Sequence, residues 1–339
     1  MRYTFKKFLE DQRAKQPPAL SIDLAGKTVV VLGANTGLGF EATRHFATMN
    51  PGRLILACRS RSKGEAAVEK LKTATGYNKS ELWLIDLADF ESVKQFADKF
   101  EKDGGRLDIL VENAATIPKK YEATKDGWET ALQVNCLSTP LLAILLLPLM
   151  IRTAEEFSTL PRIVVVGSSV HYWSTIEENV RNNPGILRAL GGSQYCTQKA
   201  IDARYYLTKL LTIFFVRAFN ARISPSTPVI VNTVNPGYCH SELRRTFSGF
   251  QAVVDHLTEL ALAFTTEEGS RQLVWGAIGE QENPETLRGA YISGCKVEEV
   301  SDFVLSPEGV KAQNDIWDEM LVLLGNVEPR VTTIAQKYL

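Results

Sequence analysis

The sequence predicts a single doubly wound α/β domain, a parallel sheet flanked by helices, with short N- and C-terminal extensions. Three observations carry this: β-branched runs alternate with helix-like segments, a glycine-rich turn follows the first run, and the 339 residues are 45% hydrophobic and 23% charged. That composition suits a globular chain with a substantial core.

In chain order, residues 1–25 come first as the N-terminal extension, whose first 16 residues carry five basic and two acidic side chains around Phe5, Phe8 and Leu9. Such a segment suits a helix packed on the domain or one lying on an anionic membrane surface, so peripheral membrane contact stays open. After Pro17 and Pro18, strands are expected near 28–32, 53–57, 82–85, 108–111, 162–166 and 228–234. Between them, Ser62 to Lys72 and Glu91 to Lys102 space apolar residues three or four apart, as amphipathic helices do. This βαβ order builds a parallel sheet with right-handed crossovers.

The apolar run Leu141 to Ile151 contains Pro148 and falls short of the about 20 residues a bilayer needs, so it reads as a buried helix and no transmembrane segment is expected. No Gly-, Ser- or Pro-rich linker divides the middle of the chain, and the stretch after 240 again reads as helix, strand and helix. Residues 26–325 are therefore one domain, with substrate-side segments at 170–194 and 238–265, and 326–339 a tail.

A formal net charge of -1 gives no broad field for nucleic acid, and no nucleic-acid partner is expected. Cys58, Cys136, Cys196, Cys239 and Cys295 show no paired metal spacing, and their odd number fits reduced thiols in a cytoplasmic protein. The N-terminus has no secretory pattern. His45, His171, His240 and His256 form no metal site either, and no metal is expected. His171 and His240 stand close enough in sequence to the proposed site to be candidates for touching substrate.

The glycine turn is Gly33-Ala34-Asn35-Thr36-Gly37-Leu38-Gly39, between the strand-like Thr28 to Leu32 and the helix-like Phe40 to Phe46. In that context it reads as the Rossmann dinucleotide turn, where glycines let the backbone approach a pyrophosphate and a helix N-terminus offers unpaired N–H groups. At the second strand's end, where NAD enzymes place an acid for the ribose, the chain has Cys58-Arg59-Ser60-Arg61. Guanidiniums there suit a 2'-phosphate, so NADP(H) is expected over NAD(H).

A Tyr with Lys four residues later occurs at Tyr3/Lys7, Tyr121/Lys125, Tyr195/Lys199 and Tyr205/Lys209. Order along the chain, after the strand ending at Ser169, selects Tyr195 and Lys199. One helical turn separates them, so both side chains should leave one face. Tyr205, ten residues on, would be rotated by roughly 280° and displaced by about 15 Å on the same helix, which assigns Tyr205 and Lys209 a structural role.

On these motifs the chain resembles the short-chain dehydrogenase/reductase family from about 25 to 325, and within it the retinol dehydrogenase-like branch. The matching residues include the glycine turn, Ala57-Cys58-Arg59, Asp86-Leu87, Asn113-Ala114, Asn135, Gly167-Ser168-Ser169, Tyr195 with Lys199, Pro236-Gly237, Ser241-Glu242-Leu243, Thr266 to Gly269 and Tyr291 to Cys295. The resemblance implies that Tyr195 is the general acid in carbonyl reduction and the base in alcohol oxidation. It gives Ser169 the hydrogen bond to the substrate oxygen and Asn135 a water linking Lys199 to solvent. Asp86 and Leu87 would meet the adenine, Asn113 and Ala114 would shape the cofactor cleft, and Pro236, Gly237 and Ser241 would contact the nicotinamide end. Leu32, Glu112 and Ala115 depart from the family's pattern beside the cofactor. Tyr3 and Tyr121 precede Ser169 and have no family match.

Tyr172, Trp173 and Ile176, with Tyr238, Phe247, Phe250 and Leu257, make both substrate-side segments apolar. A hydrophobic ketone or aldehyde and its alcohol are the expected substrates, as in specialised metabolite biosynthesis. The reading from another class is a non-catalytic NADP(H)-binding redox sensor or scaffold. Homo-oligomerisation stays open.

Overall fold

The computed structural model describes residues 3–103, 105–241, 243 and 258–339. Eight strands form one sheet in the order β3-β2-β1-β4-β5-β6-β7-β8. They are β1 (Thr28–Leu32), β2 (Arg53–Cys58), β3 (Ser80–Leu84), β4 (Ile109–Glu112), β5 (Arg162–Val166), β6 (Ile230–Asn235), β7 (Tyr291–Ser293) and β8 (Val297–Glu298). β1 to β7 are parallel, and β8 pairs antiparallel with β7. Every residue of β1, β4, β5 and β6 is buried, as expected for strands covered on both faces.

The longer helices are α1 (Phe5–Arg13), α2 (Gly37–Thr48), α3 (Arg61–Thr75), α4 (Phe90–Lys102) and, after the short α5 (Thr130–Leu132), α6 (Ser138–Phe157). Short α7 (Glu178–Arg181), α8 (Ile186–Gly191) and α9 (Gln198–Asp202) lead to α10 (Arg204–Arg222), followed by α11 (Thr266–Ile278), short α12 (Asp302–Leu305), α13 (Pro307–Val327) and α14 (Arg330–Tyr338). Local chemistry sets their ends. Ser60 caps α3 by accepting from the Lys63 N–H, and Gly76 closes it in the left-handed conformation at φ 73°. Thr265 and Glu268 form a reciprocal capping box on α11.

α2, α3 and α11 cover one face of the sheet. α4, α6, α10, α13 and α14 cover the other. α4 shows the logic: Phe90, Val93, Phe96, Ala97 and Phe100 make its buried stripe, and its charged residues face outward. The apolar run lies inside α6. Helical structure from Thr130 to Phe157 is long and apolar enough to cross a membrane, but 89% of its most apolar window is buried in the protein.

The C-terminal boundary at 325 needs correction. It falls inside α13, and Val331 and Ile334 of α14 belong to the core, so 326–339 is packed structure. Trp317 of α13, 2% exposed, stacks on Phe215 at 6.1 Å and meets Phe219 edge-on. Trp317→Ala should therefore cost about 3–5 kcal/mol of unfolding free energy in denaturant titration. A loss near zero would mean that α13 does not hold α10 in place.

Candidate active site

The carboxyl ends of the parallel strands bring most of the predicted residues to one rim. The order reverses between β1 and β4, leaving the crevice where doubly wound sheets bind ligands. Register pairs Leu32 with Glu112, placing Gly33 opposite Asn113. The Asn113 amide donates to the Leu32 carbonyl at 3.0 Å and the Gly33 carbonyl at 3.4 Å, tying the two strand ends together.

The glycine turn fits a dinucleotide on its own geometry. Gly33 has φ 70°, and a Cβ there would press on Asn113 and Ala114 at 3.1–3.2 Å. A Cβ on Gly39 would lie 2.4 Å from the Gly33 carbonyl oxygen, so this glycine lets α2 start against the turn. Gly37 also has positive φ, 59°, with open space where its side chain would be. Thr36 is the N-cap and makes no side-chain cap bond, and burial raises the pKa of the nearby Cys58 thiol to about 11. Leu38 packs on the core beneath.

At the end of β2, Arg59 is exposed and has no ion pair among the described residues. Arg61, 70% exposed, lies 3.9 Å from Glu65. Beyond β3, the Asp86 carboxylate accepts from the Ala88 N–H at 2.9 Å, and the Leu87 carbonyl accepts from Ser138 at 2.6 Å. Pro236 and Gly237 follow β6, Gly237 at φ 78°, and the Ser241 hydroxyl accepts from the Leu243 N–H at 3.0 Å. Glu242, Phe247, Phe250, His256 and Leu257 lie outside the described residues.

Ser168 and Ser169 separate by use. The Ser168 hydroxyl accepts from the Val170 N–H at 3.3 Å, capping a 3-10 turn over Ser169–Trp173. Ser169 is anchored through its backbone N–H, which donates to the Asn235 side-chain oxygen at 3.0 Å, so its hydroxyl is not spent on the cap. Asn235 also accepts from the Gly237 N–H at 3.2 Å and donates to Ser293 at 3.0 Å, joining three loops. No sequence motif singled it out; only its place at the end of β6 could have.

The shared helix face expected for Tyr195 and Lys199 requires correction. Tyr195 lies in a turn before the N-cap Thr197, and α9 begins only at Gln198, so the two side chains do not leave one helix face. Lys199 is exposed. Burial and nearby Glu177 push the Tyr195 phenol up from its ordinary pKa, away from what proton transfer near neutrality needs. Its ring faces the Arg204 guanidinium at 5.8 Å, and Arg204 is fully buried against Glu129 at 3.3 Å and the Leu190 carbonyl at 2.7 Å.

Tyr205 and Lys209 are instead one turn apart on the continuous helix α10. α10 packs along the 3-10 turn that carries Ser169. Lys209 is buried, its ammonium donates to the Val166 carbonyl at 2.6 Å, and it lies 5.5 Å from the Tyr205 ring centre. Burial lowers its pKa to about 8. Between them Thr208 accepts from the Asn135 amide at 3.1 Å. Asn135 sits in a π-helical turn, Gln133–Leu137, and also bonds the Thr116 main-chain N–H and carbonyl at 2.9 and 3.0 Å. The expectation of one helix through 195–205 fails because the chain breaks at Ala203.

Other expectations shift too. His171 is fully buried, its Nδ1 2.8 Å from the Ser168 carbonyl and its pKa lowered to about 4 by burial, so it packs beneath the site. His240 is exposed near Glu259. Ile176 joins the core, whereas Trp173 is 43% exposed. His45 lies on α2, as expected.

A model described as short chain dehydrogenase matches residues 27–173. The chain is 36% identical to short chain dehydrogenase/reductase dmxR8 of Cryptosporiopsis sp., over 96% of this chain and 99% of that one. The chain belongs to the short-chain dehydrogenase family. It is also 34% identical to short-chain dehydrogenase anuD of Penicillium roqueforti, over 96% of this chain and 84% of that protein. The fold matches solved structures of salutaridine reductase from Papaver somniferum (TM-score 0.56, 22% identity, 79% and 99% covered) and L-sorbose reductase from Gluconobacter frateurii in complex with NADPH and L-sorbose (0.58, 20%, 82% and 98%). Short-chain dehydrogenases are nicotinamide-dependent oxidoreductases, and the crevice at β1 and β4 suits that cofactor class.

Glu112 stands out in this site. Its carboxyl is buried with no hydrogen-bond partner among the described residues, and desolvation raises its pKa well above the ordinary range. An acid with a raised folded-state pKa binds its proton more tightly in the native state, so stability falls as pH rises above the unfolded value of about 4.3. Glu112→Gln should raise the melting temperature at about pH 8, with the gain disappearing toward about pH 4. A gain independent of pH would contradict a buried, protonated Glu112.

Proposed function

We propose that the protein is an NADP(H)-dependent oxidoreductase that interconverts a hydrophobic ketone or aldehyde and its alcohol, in specialised metabolite biosynthesis, with Tyr205 and Lys209 as its proton-transfer pair. The observation that carries this is the buried Lys209, one turn from Tyr205, on a helix tied to Asn135 through Thr208 and to the strand that leads to Ser169.

Carbonyl reduction needs a hydride on carbon, which the reduced nicotinamide supplies, and a proton on oxygen. Tyr205 gives that proton, and the Lys209 ammonium favours the phenolate left behind. In alcohol oxidation the phenolate takes the proton back. Ser169 donates a hydrogen bond to the substrate oxygen as charge develops on it. The Asn135 side chain, engaged with Thr116 and Thr208, fixes α10 against the turn after β4.

Gly33, Asn35, Thr36, Gly37, Leu38 and Gly39 hold the pyrophosphate at the start of α2. Arg59, exposed and without an ion pair among the described residues, binds the 2'-phosphate. Asp86 and Leu87 lie at the adenine, Asn113 and Ala114 line the cleft, and Pro236, Gly237 and Ser241 meet the nicotinamide end. Half-exposed Tyr172 and exposed Trp173 give the substrate side an aromatic wall, which supports an apolar substrate.

Turnover measured as NADPH oxidation against hydrophobic ketones and aldehydes separates the two tyrosines. Tyr205→Phe should lose about 10²- to 10⁴-fold in kcat with NADPH binding retained, while Tyr195→Phe keeps wild-type turnover. The opposite pattern would return the role to Tyr195.

Arg59→Ala should raise KM for NADPH by about 10- to 100-fold, the worth of a charge-assisted hydrogen bond, and leave KM for NADH unchanged. Equal effects on both cofactors would remove Arg59 from the phosphate site.

A further inference from the structure

The N-terminal extension reaches the loop proposed to receive the nicotinamide. α1, capped by the Thr4 hydroxyl on the Lys7 N–H, lies across the loop after β6. Before its first turn, the Trp173 indole N–H donates to the Tyr3 carbonyl at 3.1 Å, and the Tyr3 ring stacks on Tyr172 at 4.6 Å. Near its end, the Gln12 side-chain oxygen accepts from the Tyr238 N–H at 2.9 Å. The Gln12 nitrogen donates to the Tyr238 and Leu262 carbonyls, each at 2.9 Å. Gln12 is 7% exposed, so this three-bond clamp is built into the fold.

The clamp closes on two passes of the chain at once. Tyr238 leaves β6 through Pro236 and Gly237, and the chain returns beside it at Leu262 to Phe264. There the His240 N–H donates to the Phe264 carbonyl at 3.0 Å, and the Phe264 N–H donates to the Tyr238 carbonyl at 2.9 Å. Gly237 rests on both sides of this base. A Cβ there would come within 2.8 Å of the Phe264 ring and 3.0 Å of the Gln12 side-chain oxygen. The Gly237 N–H in turn donates to the Asn235 side-chain oxygen at 3.2 Å, the same atom that accepts from the Ser169 N–H at 3.0 Å. Contacts therefore run without a gap from α1 through Gly237 to the Ser169 turn.

Packing does not hold the turn after β6 by itself. Between α1 and the domain lies a cavity of about 200 Å³ bordered by Gln12, Asn235, Pro236, Gly237, Tyr291 and Ser293. Space on that side leaves the position of the turn to its hydrogen bonds, and Gln12 supplies three to its base. We propose that Gln12 is a positioning residue for the nicotinamide end of the cofactor, acting through Tyr238 and Gly237 to fix the turn that receives it. A loop already ordered before the cofactor arrives takes less from the binding free energy. This inference rests on the proposed placement of Pro236, Gly237 and Ser241 at the nicotinamide end.

The test compares two ligands on the full-length protein. One is NADPH; the other is adenosine 2',5'-bisphosphate, which carries the adenine half with its 2'-phosphate and no nicotinamide. Gln12→Met removes all three hydrogen bonds with little change in side-chain volume. It should weaken NADPH binding by about 10-fold in titration calorimetry, the size of one lost hydrogen bond, and leave the affinity for the bisphosphate unchanged. Equal losses for both ligands would make Gln12 a support of the fold alone, and no loss for either would overturn its role as directly. Ser241→Ala, which removes a group placed at the nicotinamide end itself, separates the two levels. A selective loss of NADPH affinity there without one in Gln12→Met overturns the role of Gln12 and keeps the loop at the nicotinamide end. No selective loss in either variant removes both.

A second measurement needs no variant. Coupling between sites is reciprocal, so a cofactor seated by the clamp must protect the clamp. In the wild-type protein NADPH should slow hydrogen exchange of the Tyr238 amide, the donor to Gln12, by about 10-fold, and the bisphosphate should leave it unchanged. Equal protection by the two ligands, or none by either, overturns the proposal.

Discussion

Burial of the Lys209 ammonium against the Val166 carbonyl fixes how α10 meets the sheet. Lowering its pKa from 10.5 to about 8 corresponds to roughly 3 kcal/mol of disfavoured charge, and no carboxylate pairs with it among the described residues. The surrounding packing has to bear that cost. Leu207, Leu210, Leu211, Phe214 and Phe215 of the same helix enter the core, and Trp317 of α13 closes over its far end. Once α10 is seated, Thr208 meets Asn135, Tyr205 stands one turn from Lys209, and the Ser169 turn lies alongside.

The sheet was legible because each buried parallel strand is a nearly continuous β-branched run, as in Thr28–Leu32 and Arg162–Val166. The glycine turn was legible for a related reason: positive φ at Gly33 and Gly37 and the 2.4 Å approach at Gly39 leave side chains no room or no favourable conformation. The one-helix geometry expected from Tyr195 to Tyr205 is absent; a break in a helix has a weak signal in sequence. Nothing in Ala200-Ile201-Asp202-Ala203 announces that α9 stops and α10 begins. The residues after each lysine do carry a signal. Lys209 leads into Leu-Leu-Thr-Ile-Phe-Phe-Val, a helix that must be buried, and a charge there asks for a functional explanation.

The N-terminal extension was ambiguous for a different reason. Five basic residues and three large apolar ones describe a membrane-lying helix and a domain-packed helix equally well. The discriminating residues are neither basic nor aliphatic. Gln12 satisfies three main-chain groups, and Tyr3 is 9% exposed; each contact spans more than 160 residues of sequence, beyond the reach of local pattern. At the other end, α14 looked like a tail because its apolar residues are sparse, yet Val331 and Ile334 lie one turn apart and close the core over α6.

Three buried ionisable groups near the rim separate structure from chemistry by whether their charge is compensated. Arg204 has its counter-charge in Glu129 and two further acceptors, Leu190 and Cys196, so it can hold the segment carrying Tyr195 without serving a reaction. Glu112 and Lys209 have no such partner among the described residues; Glu112 ends β4 at the crevice where the strand order reverses, and Lys209 reaches the end of the neighbouring β5. Neither position is explained by packing alone, since an apolar residue there would be cheaper. In the proposed reaction Lys209 has a task that requires its charge beside Tyr205. Glu112 is best satisfied as a neutral acid, which places an uncharged polar group beside Asn113 and leaves the positive end of α2 to meet the pyrophosphate of the proposed cofactor.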